Sequence, residues 1–163
     1  MHLYAVWIGD SYVIRFDSNG GDGAMDNQTI NVGETKPLDL NVFTREGWYF
    51  IGWATAYNGS VVYKDGASVK DLTTAKDVVI LYAVWQRMPA NTYQVIFADG
   101  AKRSTEFYAA NRVYKLPTDL FPPPSGRQLA GWAGSNGRRY DPGVLVFNLV
   151  PAGGTITLTA IWE

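Results

Sequence analysis

The sequence contains no cysteine and a single histidine, His2, among 163 residues. Without thiols there are no disulfides, no thiolate nucleophile and no zinc-thiolate centre. The compartment stays open on this ground, because oxidising surroundings permit disulfides without requiring them. No apolar run approaches the roughly 20 residues of a membrane-spanning helix. Residues 1–10 lack the basic start and apolar stretch of a signal peptide, so for an exported parent the signal is expected outside this sequence. Glu163 follows Trp162 with no sorting motif or apolar tail, so if this is the natural end, anchoring through it is not expected. Excess charge is missing as well: 14 basic against 15 acidic residues leave a net charge of -1. A nucleic-acid binder needs a basic excess to neutralise phosphate, so no nucleic-acid partner is expected. Long helix-forming windows are scarce, because 17 glycines and 8 prolines interrupt almost every candidate.

Apolar residues make up 47% of the chain and aromatics 14%, which is enough to build packed cores rather than a disordered chain. Those residues recur. Leu3-Tyr4-Ala5-Val6-Trp7 returns as Leu81-Tyr82-Ala83-Val84-Trp85 and, altered, as Leu158-Thr159-Ala160-Ile161-Trp162. The pair Gly52-Trp53 recurs as Gly131-Trp132, and Tyr12 to Phe16 is matched by Tyr93 to Phe97. A shared period points to duplication. The chain therefore reads as residues 1–11, the tail of a preceding repeat; 12–86, a complete repeat domain; 87–91, a short linker; and 92–163, a degenerate second copy.

Both copies read as strands. Ile156, Leu158, Ala160 and Trp162 alternate with Thr155, Thr157 and Thr159, the period of a sheet with one buried face. Leu81, Ala83 and Trp85 are expected inward by the same rule, as are Tyr12, Ile14 and Phe16 and their counterparts Tyr93, Val95 and Phe97. Asn19-Gly20-Gly21, Asn58-Gly59 and Asn136-Gly137 mark turns. Gly52 before Trp53 predicts a bulge or a close backbone approach that lets the indole turn onto the core. Trp53, Trp85, Trp132 and Trp162 are the expected core anchors, with Phe50 and Leu129 sharing one core position. One or two helical turns are expected at Pro37 to Val42 and at Lys70 to Ala75, and an extended polyproline segment at Pro122 to Pro124.

Phe16 to Gly21, Met25, Gln28, Thr44 to Trp53, Tyr63 and Leu81 to Trp85 together resemble the Listeria-Bacteroides repeat, also called the internalin B-repeat. The second copy keeps Phe97, Leu129, Gly131-Trp132, Tyr140 and Leu158 to Trp162, with Asp99-Gly100 in place of the Asn-Gly-Gly turn. The resemblance implies a mainly β (α+β) fold of two tandem small β-grasp-like repeat domains with little helix. It also implies a non-catalytic spacer and protein-interaction module of a bacterial cell-surface or secreted protein, located extracellularly or on the cell surface. The alternative is a carbohydrate or cell-wall binding module attached to a secreted enzyme or adhesin.

Other chemistry is poorly supplied. Asp17, Asn19 and Asp22 before Gly23 have the spacing of a calcium loop but lack its closing bidentate Glu, so a hairpin turn is expected and no metal or other cofactor. His2 has no nucleophile beside it, and Asp65, Asp71 and Asp141 read as ordinary turn carboxylates rather than a catalytic pair. Gly20 to Gly23 lacks the Lys and Ser/Thr of a phosphate loop, and Arg138-Arg139 is an isolated basic spot. No catalytic, cofactor-binding or metal residue is assigned, and the chain is not expected to be an enzyme. Tyr57, Tyr63, Tyr108 and Tyr140 lie near turns, where they are open to stacking on sugars, anchoring a host or bacterial surface protein, or packing between the copies. Residues 1–11, an apolar strand without a body, are expected to add to a sheet edge, by folding back or by self-association.

Overall fold

Alternation of inward and outward side chains forces an extended backbone, and extended chain accounts for all the regular structure. The computed structural model describes residues 10–74 and 76–163, and among them there is no helix. Chain contacts group residues 10–43 with 50–85 as one unit and residues 44–49 with 86–163 as another.

The first unit holds β1 (Ser11–Asp17), β2 (Gln28–Asn31), β3 (Thr35–Pro37), β4 (Trp48–Ala54), β5 (Ser68–Lys70) and β6 (Val78–Arg87), the first two residues of β4 and the last two of β6 grouping with the second unit. Its sheet runs in the order β2-β1-β6-β4. β1 lies antiparallel to β2 and parallel to β6, with Phe16 opposite Leu81. β3 and β5 form a separate antiparallel ribbon, Lys36 facing Val69. The inward residues Tyr12, Ile14, Phe16, Ile30, Leu38, Phe43, Trp53, Val69, Leu81 and Ala83 make one core.

The second unit holds β7 (Thr92–Asp99), β8 (Lys102–Ala109), β9 (Val113–Lys115), β10 (Leu129–Gly134), β11 (Arg139–Tyr140), β12 (Leu145–Phe147) and β13 (Thr155–Trp162). Its sheet runs β11-β10-β13-β7-β8, with β9 and β12 as a separate antiparallel ribbon. β7 is parallel to β13, and Phe97 faces Leu158. Tyr93, Val95, Phe97, Tyr108, Leu116, Phe121, Trp132, Val146, Ile156 and Leu158 make its core. Apart from the added edge strand β11, this is the path of the first unit. The opening strand lies beside the closing one, the second strand flanks the opening one, the Gly-Trp strand flanks the closing one, and a two-stranded ribbon stands apart.

Trp53 and Trp132 are completely buried and lie against Phe16 and Phe97 at ring distances of 4.8 and 5.1 Å. Phe50 and Leu129 pack at the margins of the two cores. Trp85 and Trp162 depart from expectation. They are half-buried at the core edge, where their indole N–H groups reach the turn that follows the opening strand.

The helical turns expected at Pro37 to Val42 and Lys70 to Ala75 do not form among the described residues. The reason is that side chains satisfy the backbone there in other ways. Buried Gln28 donates to the Pro37 carbonyl (2.8 Å) and accepts from the Asp39 amide (3.1 Å). Asn41 accepts from the Phe43 amide (2.9 Å) and donates to the Phe43 carbonyl (3.1 Å). Asp71 takes φ +48°, outside the helical range, and its carboxylate accepts from the Gly33 amide at 2.6 Å. Pro122 to Pro124 are exposed and belong to no strand. Residues 1–9, which carry His2 and the strand expected at Leu3 to Trp7, and Ala75 lie outside the described residues.

Gly52 shows why Gly must precede the buried Trp. At φ +145° a Cβ would sit 2.6 Å from Val61 Cγ1 and 2.7 Å from the Tyr63 carbonyl oxygen, and a backbone atom has little room to withdraw. Gly131 sits at the same point of the second unit, beside a bulge between Leu129 and Gly131. Gly33, at φ +86° with open space around it, separates conformational strain from collision. Gly33→Ala is expected to cost about 1 kcal/mol and Gly52→Ala at least about 2 kcal/mol more, since the clash adds to the strain. Denaturant unfolding of the two variants measures the difference, and equal losses would remove the collision as the cause.

Candidate functional site

The turn after β1 reverses the chain through two left-handed residues, Asn19 at φ +45° and Gly20 at φ +86°. Asp17 Oδ1 accepts from the Asn19 amide at 2.8 Å, which closes the turn locally. Asn19 Nδ2 donates to the Ala83 carbonyl at 2.9 Å, and Trp85 Nε1 donates to the Ser18 carbonyl at 2.8 Å. The run that resembles a calcium loop therefore uses Asp17 and Asn19 to fasten the opening turn to the closing strand. Among the described residues no group of three or more His, Asp or Glu side chains is placed to hold a metal. In the second unit Gly100 supplies the left-handed turn, and Trp162 Nε1 donates to Asp99 Oδ1 at 3.0 Å. The Trp of the closing strand in each unit is thus the fastener of the first turn.

The remaining turn carboxylates serve as backbone acceptors. Asp65 accepts from the Asn41 amide at 2.8 Å and Asp71 from Gly33, while Asp141 is exposed in the turn before β12. The second unit makes the Asp71 clasp with a pair of asparagines: Asn148 Oδ1 accepts from the Asn111 amide at 2.7 Å, and Asn148 Nδ2 donates to Asn111 Oδ1 at 3.0 Å. The structure converges none of these groups on a common point.

Of the four tyrosines read as exposed rings, only Tyr57 is open, at 70% exposure, with its ring edge-on to Tyr82 at 6.0 Å. Tyr108 is buried, and Tyr63 and Tyr140 pack on the cores. Trp48 carries the guanidinium of Arg45 at 4.4 Å and that of Arg87 at 5.0 Å, so its ring is already occupied by cations.

A more pronounced surface lies on the ribbon of the second unit. Val113, Leu145 and Phe147 are 60%, 67% and 57% exposed, with Val113 opposite Phe147 and Leu145 opposite Lys115 in the antiparallel register. Beside it a cleft of about 240 Å³ is lined by Arg138, Tyr140 and residues 144–149. Arg139, by contrast, donates to the Ala130 carbonyl at 2.8 Å. The ribbon of the first unit presents Thr35, Pro37, Ser68 and Lys70 on its outer face instead. A signal for this surface was present in the sequence: Leu145-Val146-Phe147 is apolar at three successive strand positions, which puts apolar groups on both faces, whereas Ser68-Val69-Lys70 is apolar at one. Charge divides the halves as well. Residues 10–85 hold six Lys and Arg against ten Asp and Glu, and residues 86–163 hold eight against five, leaving the first net acidic and the second net basic.

Residues 12–84 match the family model of the Listeria-Bacteroides repeat domain, which supports placing that segment in the family. A protein of Evansella cellulosilytica, provisionally named a Gly-rich membrane protein, is 26% identical over 133 residues. The match takes in 80% of this chain but only 15% of the relative, so the chain spans a small part of that protein. Among solved structures, one described as Mub-RV aligns over 93% of this chain and 99% of its own, with 7% identity and a TM-score of 0.21. A likeness at that level carries no argument.

The tyrosines buried in the second unit give it a pH dependence. Burial, aided by the nearby Glu106 carboxylate, pushes the Tyr108 phenol up to about 12, and burial likewise raises Tyr93. Tyr108 stacks on Tyr114 at 4.0 Å and meets Tyr93 edge-on at 5.9 Å. In the unfolded chain these phenols ionise near 10. The stability tied to Tyr108 is therefore complete below pH 10 and is lost as pH rises from 10 through about 12. Unfolding free energy measured between pH 9 and about 12 is expected to fall more steeply in the native chain than in Tyr108→Phe. Parallel curves would show that Tyr108 ionisation does not limit alkaline stability.

Proposed function

We propose that the chain is a non-catalytic, load-bearing repeat module of a bacterial cell-envelope protein, acting as spacer and protein-interaction domain on the outer surface. In this reading the two units are copies of one small β fold, the second having drifted in sequence. The family match over residues 12–84 and a relative named as a membrane protein favour the envelope location. The shared order of four strands, with β11 added in the second unit, favours duplication. The family's signature side chains are spent on core and turn, which favours a structural role over catalysis.

The observation that carries the load-bearing reading is the parallel pairing of the first and last strand in each unit. Five register pairs run from Val13 with Val78 to Asp17 with Tyr82, and five from Thr155 with Gln94 to Thr159 with Ala98. In a parallel pair the start of one strand and the end of the other lie at opposite ends. Tension along the chain therefore shears the whole ladder at once instead of peeling it bond by bond. A spacer that holds its length under pull needs this geometry.

Single-molecule pulling from the chain ends is expected to show two discrete unfolding events. Each should release on the order of 250 Å of chain, since about 70 extended residues span about 3.6 Å apiece. Because no cysteine is present, Ser11→Cys with Asn31→Cys gives a unique second pair of handles. These residues face one another at one end of the antiparallel β1–β2 ladder, which opens pair by pair at a severalfold lower force. Equal forces in the two geometries, or the absence of discrete events, would rule out the load-bearing reading.

A further inference from the structure

The outer face of the β9–β12 ribbon combines exposed apolar groups with unpaired cations, and we infer that it binds an extended acidic peptide segment of a protein partner. The inference rests on reading the chain as an interaction module. Val113 and Phe147 face each other across the ribbon and are 60% and 57% exposed, one apolar pair. Two residues further along, Leu145 faces Lys115, a mixed pair of one apolar and one cationic side chain. Arg138 lines the adjoining cleft of about 240 Å³ with Leu145 and Phe147, and Arg112 directly precedes Val113. Among the described residues neither Lys115, Arg112 nor Arg138 makes an ion pair, and Asp141 is the one carboxylate between Arg138 and Leu149.

The spacing selects the ligand. Side chains two apart on an extended strand are about 6.5 to 7 Å apart, the same step that separates the Val113/Phe147 pair from the Lys115/Leu145 pair. An extended peptide with an apolar residue at one position and a carboxylate two positions later places the first over Val113 and Phe147 and the second at Lys115. Arg138 is placed to take a further carboxylate from the cleft side.

Charge complementarity favours this occupant over a second copy of the same face. An isologous pairing would bring Lys115, Arg112 and Arg138 of one copy against those of the other. An anionic glycan meets the cations but leaves Val113 and Leu145 without apolar partners, and Phe147 is the one aromatic ring of the ribbon's outer face. A ribbon of three-residue strands offers a small contact area, so the complex belongs to the weak, transient class.

The test uses the full chain and a fluorescein-labelled peptide in which leucine and glutamate alternate at every second position with serine between them. Saturable binding is expected, weakened by added salt. It should fall at least tenfold in the triple variant Val113→Thr, Leu145→Ser, Phe147→Lys, which installs the side chains the first unit carries at these places. Arg138→Gln should lower it about threefold. An unchanged melting temperature and far-ultraviolet spectrum confirm that the variants fold, and the exposure of all four side chains makes that the expected result. The inference is overturned by no saturable binding, or by binding that the triple variant leaves intact. It is equally overturned if a peptide with glutamine for leucine, or polygalacturonate, binds as well as the probe, or if light scattering shows dimers that the triple variant abolishes. The pulling forces of the native chain read the spacer role independently, so failure to bind the peptide with those forces intact defeats this inference alone.

Discussion

Each unit is organised around a closing strand that must insert, parallel, between the opening strand and the Gly-Trp strand. The ends of that pairing are some 65 residues apart in sequence, so it forms only after a long loop has closed. The entropic cost of closure grows slowly with loop length but has to be offset by burial. Leu81 and Leu158 supply that burial: each is wholly buried, opposite a Phe of the opening strand and in the same core as a buried Trp. Full burial of one such side chain is worth roughly 2 to 3 kcal/mol, and a domain of about 70 residues has few positions that reach it. β4 and β10 have an edge to join only once β6 and β13 are in place, whereas β2 and β8 reach β1 and β7 as antiparallel neighbours close in sequence.

The long connections inside each closed loop are held without helices. In the first unit Gln28, Asn41 and Asp71 satisfy backbone groups that a helix would otherwise satisfy internally, and Gln28 does so from a buried position. In the second unit the Asn111–Asn148 pair and the Trp132 Nε1 donation to the Pro117 carbonyl (3.1 Å) play that part. The corresponding Trp53 Nε1 is buried and has no hydrogen-bond partner among the described residues. An unmet buried polar group costs about 1 to 3 kcal/mol, and each unit carries one, since the Tyr93 hydroxyl of the second is also buried without a partner.

Much of this was legible because the cues were local. Alternation identified Tyr12, Ile14 and Phe16 and Tyr93, Val95 and Phe97 as inward, and the collision space at Gly52 is what a Gly before a core Trp implies. The expected helical turns failed because the competing hydrogen bonds come from Gln28 and from the Gly33 amide, residues distant in sequence from the segments they hold. Trp85 and Trp162 were assigned to the core on size, yet each sits at the rim with its indole N–H bonded to the opening turn. The ribbon surface went unread for a different reason. Which of two apolar residues in a three-residue strand faces solvent depends on the partner strand, and β9 lies 30 residues before β12.

Comparison of equivalent positions in the two units separates what the fold requires from what it leaves free. The opening-strand Phe, the Gly-Trp pair and the closing Leu are the same in both, and each is buried. On the ribbon the inward residue stays apolar, Val69 and Val146, while the outward ones change from Thr35, Ser68 and Lys70 to Val113, Leu145 and Phe147. Packing does not demand the outward apolar set, because the first unit closes the same ribbon without it. Exposed aliphatic and aromatic groups raise the risk of nonspecific association and give no core burial in return. The fold therefore does not explain their presence at one end of the chain. The proposed contact with an acidic partner accounts for them, and the unpaired cations around the patch match the charge of that partner.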